Sequence, residues 1–308
     1  MIGERVSIVV LTFNRRDEVL RTLAQLARVD ESVPIIVVDN GSTDATARAI
    51  AGRYPRAMLL RLPANIGAAG RNAGVRACTT PYVAFCDDDT WWLPGSLELA
   101  ARTFDAHPKL AAITARVLVG EHQREDPTNA AMAASPFPNT LGVPGSELLG
   151  LLGGACMMRR AAFLQAGGYH PRLFIGCEEA LLAVDLMSAG WRMAYIPGVL
   201  VCHHPSKLRD ARARRRLIAR NELWLAWLRR PPASAWRVTR RWGIKSLHEG
   251  SLLRNALDAL RGLPWVLRER RVAPDHVEAA LRMLDDMDAV DSSAVLHAVR
   301  QSSQRAPG

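Results

Sequence analysis

Three consecutive aspartates, Asp87, Asp88 and Asp89, directly follow the apolar run 82–86. A short apolar run of this kind is typical of a buried strand, which places the three carboxylates at the carboxyl end of that strand. Adjacent carboxylates repel one another, and a divalent cation that bridges phosphates is the usual partner of such a cluster. The alternative is an acidic turn that is solvated by water.

The segments around the triplet predict the elements that position it. Short apolar runs alternate with segments of helical periodicity, which predicts a mostly parallel, doubly wound α/β sheet covered by helices on both faces. The predicted strands are 6–11, 34–38, 57–62 and 82–85, and the predicted helices are 17–29, 44–53 and 67–77.

Polar residues fall at several of these strand ends. They are Thr12, Asn14, Asp39, Asn40, Asn65 and the aspartate triplet. Ligands bind at the carboxyl ends of the strands in such a sheet, so we expect these side chains to form one site.

The second half of the chain predicts a loop, further α/β elements and a helical region. Residues 120–150 are rich in Pro, Gly, Ala and Asn, which predicts a long loop. After it, a short antiparallel portion of the sheet is expected. Strands are predicted at 153–158, 193–196 and 198–202, and helices at 160–165 and 178–189.

The composition indicates a globular protein, since 49% of the 308 residues are hydrophobic. The five cysteines are scattered singly, as expected for reduced thiols in a cytoplasmic protein, and this spacing argues against a zinc site. No signal peptide is evident, and no apolar run approaches the roughly 20 residues that span a bilayer. We therefore expect a protein that is not integral to a membrane.

The positive charge is concentrated in the C-terminal third. Residues 1–204 carry 19 Lys and Arg against 19 Asp and Glu, whereas 205–308 carry 21 against 11. Tryptophans are interleaved with arginines over 205–271, a pattern that suits the surface of an anionic membrane. The alternatives are helices that only pack on the rest of the protein and, less favoured, nucleic-acid binding.

Six segments, taken in order, resemble the family 2 glycosyltransferases of the GT-A fold. They are VSIVVLTFNR, IIVVDNGSTD, NIGAAGRNAG, VAFCDDDTWWLPGSLE, GGACMMRRAAFLQAGGYH and GCEEALLAVDLMSAGWRMAYIPGVLVCHH. The resemblance covers about residues 5 to 205. It implies transfer of a sugar from a nucleotide-sugar to an acceptor, with inversion of the anomeric centre.

The resemblance also implies a domain organisation. A GT-A catalytic domain is expected over 1–204, with nucleotide-sugar binding up to about residue 120 and the acceptor side over about 150–204. A basic helical extension is expected over 205–308, with a disordered end.

The resemblance places the nucleotide near the first two strands. Thr12, Asn14 and Arg15 are expected to contact the base and ribose, although Asn14 could instead cap a helix. The carboxylate of Asp39 can accept a hydrogen bond from the N–H of uracil or thymine, which favours UDP or dTDP. Asp44 is interpreted as structural.

The segment 65–72 combines small residues with a predicted helix start. Asn65 and Gly67 are expected near the donor, because glycines allow close approach and a helix amino end favours anions. Arg71 could pair with the pyrophosphate or with the acidic cluster. A glycine-rich helix start without any functional contact is the alternative.

The resemblance assigns Asp89 to a Mg²⁺ or Mn²⁺ ion, and Asp87 to the ribose or to the same ion. Asp88 could help either one. Such an ion would bridge the two phosphates and neutralise charge on the leaving nucleoside diphosphate. His203 or His204 could complete the coordination, although tandem histidines also occur in ordinary surface turns.

The acidic pair Glu178 and Glu179 opens a predicted helix. In the family the second acidic residue takes the proton of the acceptor hydroxyl, which assigns the base to Glu179 and leaves Glu178 as the fallback. The alternative is that both residues only complement the helix dipole.

The acceptor side is assigned to two glycines and two tryptophans. The resemblance places Gly153 and Gly154 at the floor of the acceptor site. Trp91 and Trp92 could stack on sugar faces or belong to the core.

The sequence therefore predicts a metal-dependent inverting glycosyltransferase that transfers a hexosyl or deoxyhexosyl group. Its expected acceptor is a hydroxyl of a lipid-linked or cell-envelope glycan, at the inner face of the plasma membrane. One alternative is a nucleotidyltransferase, but 12–16 lacks the glycines expected after its first strand. The other is a non-catalytic binding module, which the acidic pair disfavours. The oligomeric state stays open.

Overall fold

The computed structural model describes residues 1–29, 32–205 and 211–287. In this part of the chain, ten strands form one sheet. The strands are β1 (Val6–Thr12), β2 (Ile35–Asp39), β3 (Met58–Arg61), β4 (Tyr82–Asp87), β5 (Thr90–Trp92), β6 (Leu110–Val119), β7 (Arg124–Glu125), β8 (Ser146–Leu148), β9 (Cys156–Arg159) and β10 (Arg192–His203).

Helices cover the sheet and make up the C-terminal region. They are α1 (Arg16–Leu26), α2 (Thr46–Arg53), α3 (Arg71–Ala77), α4 (Ser96–Ala106), α5 (Pro127–Ala133), α6 (Arg160–Gln165), α7 (Glu178–Ser188), α8 (Ala211–Arg229), α9 (Pro232–His248), α10 (Leu252–Leu260), α11 (Leu263–Arg268) and α12 (275–287). No described helix combines the length and the apolar character needed to cross a membrane.

The strand order is β3-β2-β1-β4-β9-β6-β10-β5, with β7 on β6 and β8 on β10. The strands β3, β2, β1 and β4 are parallel, as are β6 and β10. Strand β9 runs antiparallel to both of its neighbours, and β5 runs antiparallel to β10. The predicted α/β class, with an antiparallel portion after residue 150, is confirmed.

Strand β1 explains why the sheet is buried on both faces. Alternate side chains of a strand point to opposite faces, and β1 has buried apolar residues on both of its faces. Val6, Ile8 and Val10 pack in the core with α1 and α4. Val9 packs in the opposite core with α3, α6 and α7.

The predicted long loop over 120–150 is wrong, because this segment contains β7, α5 and β8. Asp126 accepts a hydrogen bond from the backbone N–H of Thr128, and Pro127 occupies the first turn of α5, so both ordinary start signals are present. Asn129 then bonds the backbone N–H and C=O of Val117 and ties α5 to β6.

The central strand β6 and helix α4 were not assigned from the sequence. Strand β6 contains both small and branched residues, and its first six residues are buried. Strand β10 is continuous where two separate runs were expected, with an irregular register between Ile196 and Leu200.

The helices after β10 are tied to the loop that precedes α7. The amide of Asn221 on α8 is fully buried and donates to the carbonyls of Leu173 (2.7 Å), Ile175 (3.1 Å) and Gly176 (2.7 Å). Arg229 at the end of α8 pairs with Asp185 on α7, with Nη2 2.9 Å from Oδ2. The predicted basic helical character of this region is seen over 211–287. Residues 288–308, which include the end predicted to be disordered, lie outside the described residues.

Substitution Asn221→Ala should lower the free energy of unfolding by about 1–3 kcal/mol, because it leaves buried carbonyls without their donor. Chemical denaturation measures this change. The exposed substitution Arg237→Ala on α9 serves as the control and should leave the unfolding midpoint unchanged. Equal stability of Asn221→Ala and the control would contradict the tie between α8 and the loop.

Candidate active site

The parallel strands end together at one edge of the sheet. Thr12 at the end of β1 lies opposite Asp39 at the end of β2, and Leu11 lies opposite Asp87 at the end of β4. The strand register therefore brings the aspartates of β2 and β4 to the same edge, as the sequence predicts.

Asp88 anchors the segment that follows β1. Its carboxylate accepts hydrogen bonds from Thr12 Oγ1 (3.1 Å) and Arg15 Nη1 (2.9 Å), and its carbonyl accepts from Thr22 Oγ1 (2.8 Å). Burial raises the pKa of Asp88 to about 7, although the positive charge of Arg15 acts in the opposite direction. Thr12 and Arg15 are thus engaged with Asp88, and Asp88 positions this edge of the site.

Asp89 and His203 face each other because of the hairpin that follows the triplet. Strand β5 returns along β10 and pairs Thr90 with His203. Asp89 Oδ1 then lies 3.7 Å from His203 Nε2, and Asp89 Oδ2 lies 3.6 Å from Arg15 Nη1. The backbone N–H of His204 donates to the Asp89 carbonyl at 2.8 Å. Of the two candidate histidines, His203 is the one whose ring approaches the carboxylate.

The pair Asp89 and His203 fits a partly hydrated Mg²⁺ or Mn²⁺. Among the residues that the structure describes, no group of three His, Cys, Asp or Glu side chains is arranged to hold a metal ion. Mg²⁺ in phosphate-transferring sites commonly takes one or two carboxylates, with substrate phosphates and water as the remaining ligands. Asp89 supplies the carboxylate that this arrangement needs, and His203 supplies a neighbouring nitrogen.

Asp87 pairs with Arg71, whose side chain is only 8% exposed. Arg71 also lies over the ring of Tyr169, 5.9 Å from its centroid. Burial opposes the charged form of Arg71, yet the neighbouring Asp87 keeps its pKa above the usual range. Of the two roles predicted for Arg71, the structure shows the contact with the acidic cluster.

Two glycines separate Asp87 from Glu179. The N–H of Gly153 donates to Glu179 Oε1 at 2.6 Å, and a Cβ atom on Gly154 would lie 2.6 Å from Asp87 Oδ2. Thr90 Oγ1 accepts from the Asp87 N–H and donates to the Gly154 carbonyl, both at 2.8 Å. Asp87, the candidate donor-side carboxylate, and Glu179, the candidate base, therefore contact the same backbone segment. A residue larger than glycine would not fit in this segment.

The acidic pair lies in the first turn of α7. Glu178 is buried, and burial raises its pKa above the usual value. Burial, with a further contribution from the charge of Glu178, raises the pKa of Glu179 to about 7. A carboxylate with this pKa can accept a proton near neutral pH, which a solvated glutamate does poorly. Both residues also lie in the first turn of α7, where they complement the helix dipole, and this position is compatible with either interpretation.

Asn14 connects two loops and does not cap α1. Its Oδ1 accepts from the N–H of Thr43 at 2.8 Å, and its own N–H donates to Ser42 Oγ at 2.9 Å. Residue 15 occupies the N-cap position of α1, and no side chain caps the helix. Asn14 therefore orders the loop after β2.

Asn65 and Gly67 also have structural partners. Asn65 Oδ1 accepts from Asn40 Nδ2 and from the Gly67 N–H, both at 2.9 Å. Gly67 has a φ of 65°, and a Cβ atom there would collide with the carbonyl of Phe174. The predicted helix start is a 3₁₀ turn, Gly67–Gly70, followed by the seven-residue α3. The loop before α7 leaves no room for a side chain at position 67, which explains why a glycine stands there.

Asp39 is fully buried and accepts from the N–H of Ser42 at 2.9 Å, with Arg61 Nε 3.4 Å from its other oxygen. Asp44 accepts from the N–H of Thr46 at 2.9 Å, which agrees with its predicted structural role.

The acceptor role considered for Trp92 is wrong. Trp92 is fully buried, and its Nε1 donates to the Phe85 carbonyl at 3.2 Å, so no face of the indole is open to a sugar. Trp91 is partly buried and packs against the same core.

Sequence reasoning missed Tyr169, Thr90 and Thr22, which contact or orient the candidate residues. Tyr169 lies under Arg71, and Thr90 and Thr22 bond the backbone of the triplet. Their partners are 66 to 98 residues away or belong to a turn, so no local pattern marks them.

Comparisons with known proteins identify the family. The model of the family Glycosyl transferase family 2 matches residues 7–166. The N-acetylglucosaminyl-diphospho-decaprenol L-rhamnosyltransferase of Mycobacterium tuberculosis is 27% identical over 300 residues, which cover 86% of this chain and 98% of the relative. The pre-mycofactocin glycosyltransferase of the same organism is 31% identical over 219 residues, 68% of this chain and 45% of the relative.

Solved structures share the fold. The mannosyltransferase PcManGT from Pyrobaculum calidifontis, solved with GDP-Man and Mn²⁺, superposes with a TM-score of 0.56 at 20% identity and covers 98% of this chain and 81% of its own. TarS of S. aureus superposes with a TM-score of 0.53 at 20% identity, over 71% of this chain. This chain spans only 39% of TarS.

The fold is GT-A, with a helical C-terminal region. The family model covers more than half of the 308 residues. The chain belongs to glycosyl transferase family 2 and is an enzyme that transfers sugars.

Proposed function

We propose that this glycosyltransferase is metal-dependent and inverting, and that it transfers a sugar from a UDP- or dTDP-sugar to a lipid-linked glycan of the cell envelope. The observation that carries the proposal is the arrangement of Asp87 and Glu179 on either side of Gly153 and Gly154. It brings a donor-side carboxylate and a base with a raised pKa next to the same short segment. Membership of the family disfavours the nucleotidyltransferase and the non-catalytic module.

The donor is assigned to the edge formed by β1, β2 and β4. Asp39 is assigned to the base on the family resemblance; because its carboxylate is fully buried and bonded to the Ser42 N–H, this contact requires the loop after β2 to open. Thr12 and Arg15 hydrogen-bond Asp88 and thereby position the part of the site that is assigned to the ribose. Asp87 contacts the ribose from the end of β4, where 41% of its side chain is exposed although it pairs with Arg71.

Asp89 and His203 are assigned to a Mg²⁺ or Mn²⁺ ion. When bound, such an ion neutralises the negative charge that develops on the leaving diphosphate. Arg15 lies 3.6 Å from Asp89 and adds a positive charge at the same place. Asp89 and His203 would thus hold the ion, and the positive charge of Arg15 would act on the leaving diphosphate.

Glu179 is assigned as the base. Inversion requires that the acceptor oxygen attacks from the face opposite the leaving group and gives up its proton to a nearby carboxylate. The N–H of Gly153 holds one carboxylate oxygen of Glu179 and thereby orients the group. Gly154 keeps the space beside Asp87 open, so the two glycines form the floor between donor and acceptor.

Two observations support a lipid-linked acceptor: the acceptor named for a relative, and an exposed apolar surface on α10. The rhamnosyltransferase relative is named for a diphospho-decaprenol acceptor. On α10, Leu253, Leu257 and Leu260 are 83%, 58% and 59% exposed, beside the basic residues Arg254 and Arg261. Exposed leucines flanked by arginines suit the surface of an anionic membrane, which supports the proposed position at the inner face of the plasma membrane.

Substitution Glu179→Gln should lower kcat by about 10²- to 10⁴-fold, because the amide cannot accept the proton. Binding of the nucleoside diphosphate should be unchanged, since Glu179 is on the acceptor side. Turnover of candidate UDP- and dTDP-sugars with a lipid-linked acceptor measures the effect, and the exposed Glu121→Gln serves as the control. Undiminished turnover by Glu179→Gln would assign the base elsewhere.

The logarithm of kcat/KM should rise with pH and level off above about pH 7. The raised pKa of Glu179, about 7, means that the carboxyl is mostly protonated, and therefore inactive as a base, below that pH. A pH series on the free enzyme with subsaturating acceptor measures this profile. A profile that is flat between pH 5 and 8 would be inconsistent with Glu179 as the base.

Substitution Asp89→Asn should abolish the stabilisation that Mn²⁺ adds to a bound nucleoside diphosphate. A bound ligand raises the apparent melting temperature by mass action, so thermal shifts with and without Mn²⁺ report this coupling. The exposed Asp286→Asn is the control and should behave as the unsubstituted protein. Equal Mn²⁺ effects in both variants would remove Asp89 from the metal site.

A further inference from the structure

A cavity of about 1010 Å³ lies between α7 and the helices α8, α9, α10 and α12. It begins at Cys177, the residue before Glu178, and one face of α7 contributes Ala180 and Val184 to its wall. The cavity thus adjoins the helix that carries the proposed base, on the side of the C-terminal helices.

The wall of the cavity is rich in positive charge. Seven Arg and Lys side chains line it, against three Asp and Glu side chains. Four of the basic residues pair with carboxylates, namely Arg216 with Asp258, Arg229 with Asp185, Arg230 with Glu278 and Arg241 with Asp285. The other three are Arg215, Lys245 and Arg254, and none of them has an ion pair with a carboxylate in the described part of the chain. Cations without a partner attract an anion.

Most of the uncharged wall is apolar. Ile218 and Leu225 of α8 face Val238 and Trp242 of α9 across the cavity. The Nε1 atom of Trp242 is buried and has no hydrogen-bond partner among the described residues. A buried donor without a partner is costly, and a ligand oxygen would satisfy it. Apolar walls with a few unpaired cations suit a ligand that has a hydrophobic part and a negatively charged part.

The cavity lies next to the acidic pair, and this position indicates which kind of ligand it could bind. Asn221 of α8 holds the carbonyls of the loop 173–176, which leads directly into Cys177 and the acidic pair. In a lipid-linked sugar, the diphosphate follows the sugar, and the hydrocarbon chain follows the diphosphate. A sugar at Glu179 would therefore direct its diphosphate and lipid toward a neighbouring site of this charge and polarity.

We propose that this cavity binds the prenyl diphosphate part of the acceptor, with Arg215, Lys245 and Arg254 at the diphosphate and the apolar wall at the first isoprenyl units. The proposal rests on the proposed transfer to a lipid-linked acceptor. It assigns to the C-terminal helices a binding role in addition to contact with the membrane surface.

The test uses farnesyl diphosphate, a soluble prenyl diphosphate, and measures its equilibrium binding by calorimetry in the presence of EDTA. The double substitution Lys245→Ala/Arg254→Ala should weaken binding by about tenfold or more, because two charge-assisted contacts are lost. The matched control Arg237→Ala/Arg240→Ala removes two exposed arginines of α9 that do not line the cavity, and should retain the original affinity. Farnesol and inorganic diphosphate should each bind more weakly than the complete probe.

A second variant, Ala219→Trp, places a large side chain in the cavity and should also weaken binding of the probe. It keeps the test decisive if the double variant does not fold. Unchanged affinity in a folded variant of either kind would overturn the proposal. Loss of binding in Asp89→Asn would overturn it as well, because the probe would then occupy the donor site.

Kinetics separate this proposal from the proposed function. With Ala219→Trp, KM for a prenyl-diphosphate-linked sugar should rise, while transfer to a short soluble glycoside should be unchanged. Failure of the protein to transfer any sugar to either acceptor would refute the proposed function, and the binding measurement would still decide whether the cavity holds a prenyl diphosphate. An equal rise of KM for both acceptors would contradict the proposed cavity site.

Discussion

Crowding of carboxylates is the constraint around which the site is built. Asp87, Asp88 and Asp89 follow one another at the end of β4, and burial, together with the charges of Glu178 and Asp87, raises the pKa of Glu179. Two guanidinium groups offset this charge, Arg71 at Asp87 and Arg15 between Asp88 and Asp89. The remaining repulsion favours protons or a cation, and both are useful to an enzyme that must stabilise a diphosphate and accept a proton.

Close backbone contacts keep these charges in place. Gly153 and Gly154 occupy the space between Glu179 and Asp87, and Gly67 allows the 3₁₀ turn before α3 to touch the loop at Phe174. Each contact leaves no room for a Cβ atom, so the site depends on backbone packing as much as on charged side chains. The same loop continues into α7, which means that donor-side and acceptor-side segments share one packed layer.

The sequence was sufficient for what local patterns determine. The apolar runs of β1, β2 and β4 predicted a parallel sheet, and the polar residues that follow them predicted its active edge. The partner of Arg71 was not predictable from the sequence, because its side chain could have contacted a phosphate or Asp87. In the structure it packs over Tyr169 and pairs with Asp87. Trp92 shows the same limit, since its indole turns into the core and bonds the carbonyl of Phe85. Strand β6 was missed because small residues interrupt its apolar pattern.

The buried amide of Asn221 gives the helices after β10 a part in the geometry of the acidic pair, because it holds the turn from which α7 starts. Chimaeras that exchange the sheet region between relatives would therefore need to carry α8 with it. A junction placed at the end of β10 would separate the proposed base from the helix that supports it, so we expect substrate preferences to be transferred only when both parts are exchanged together.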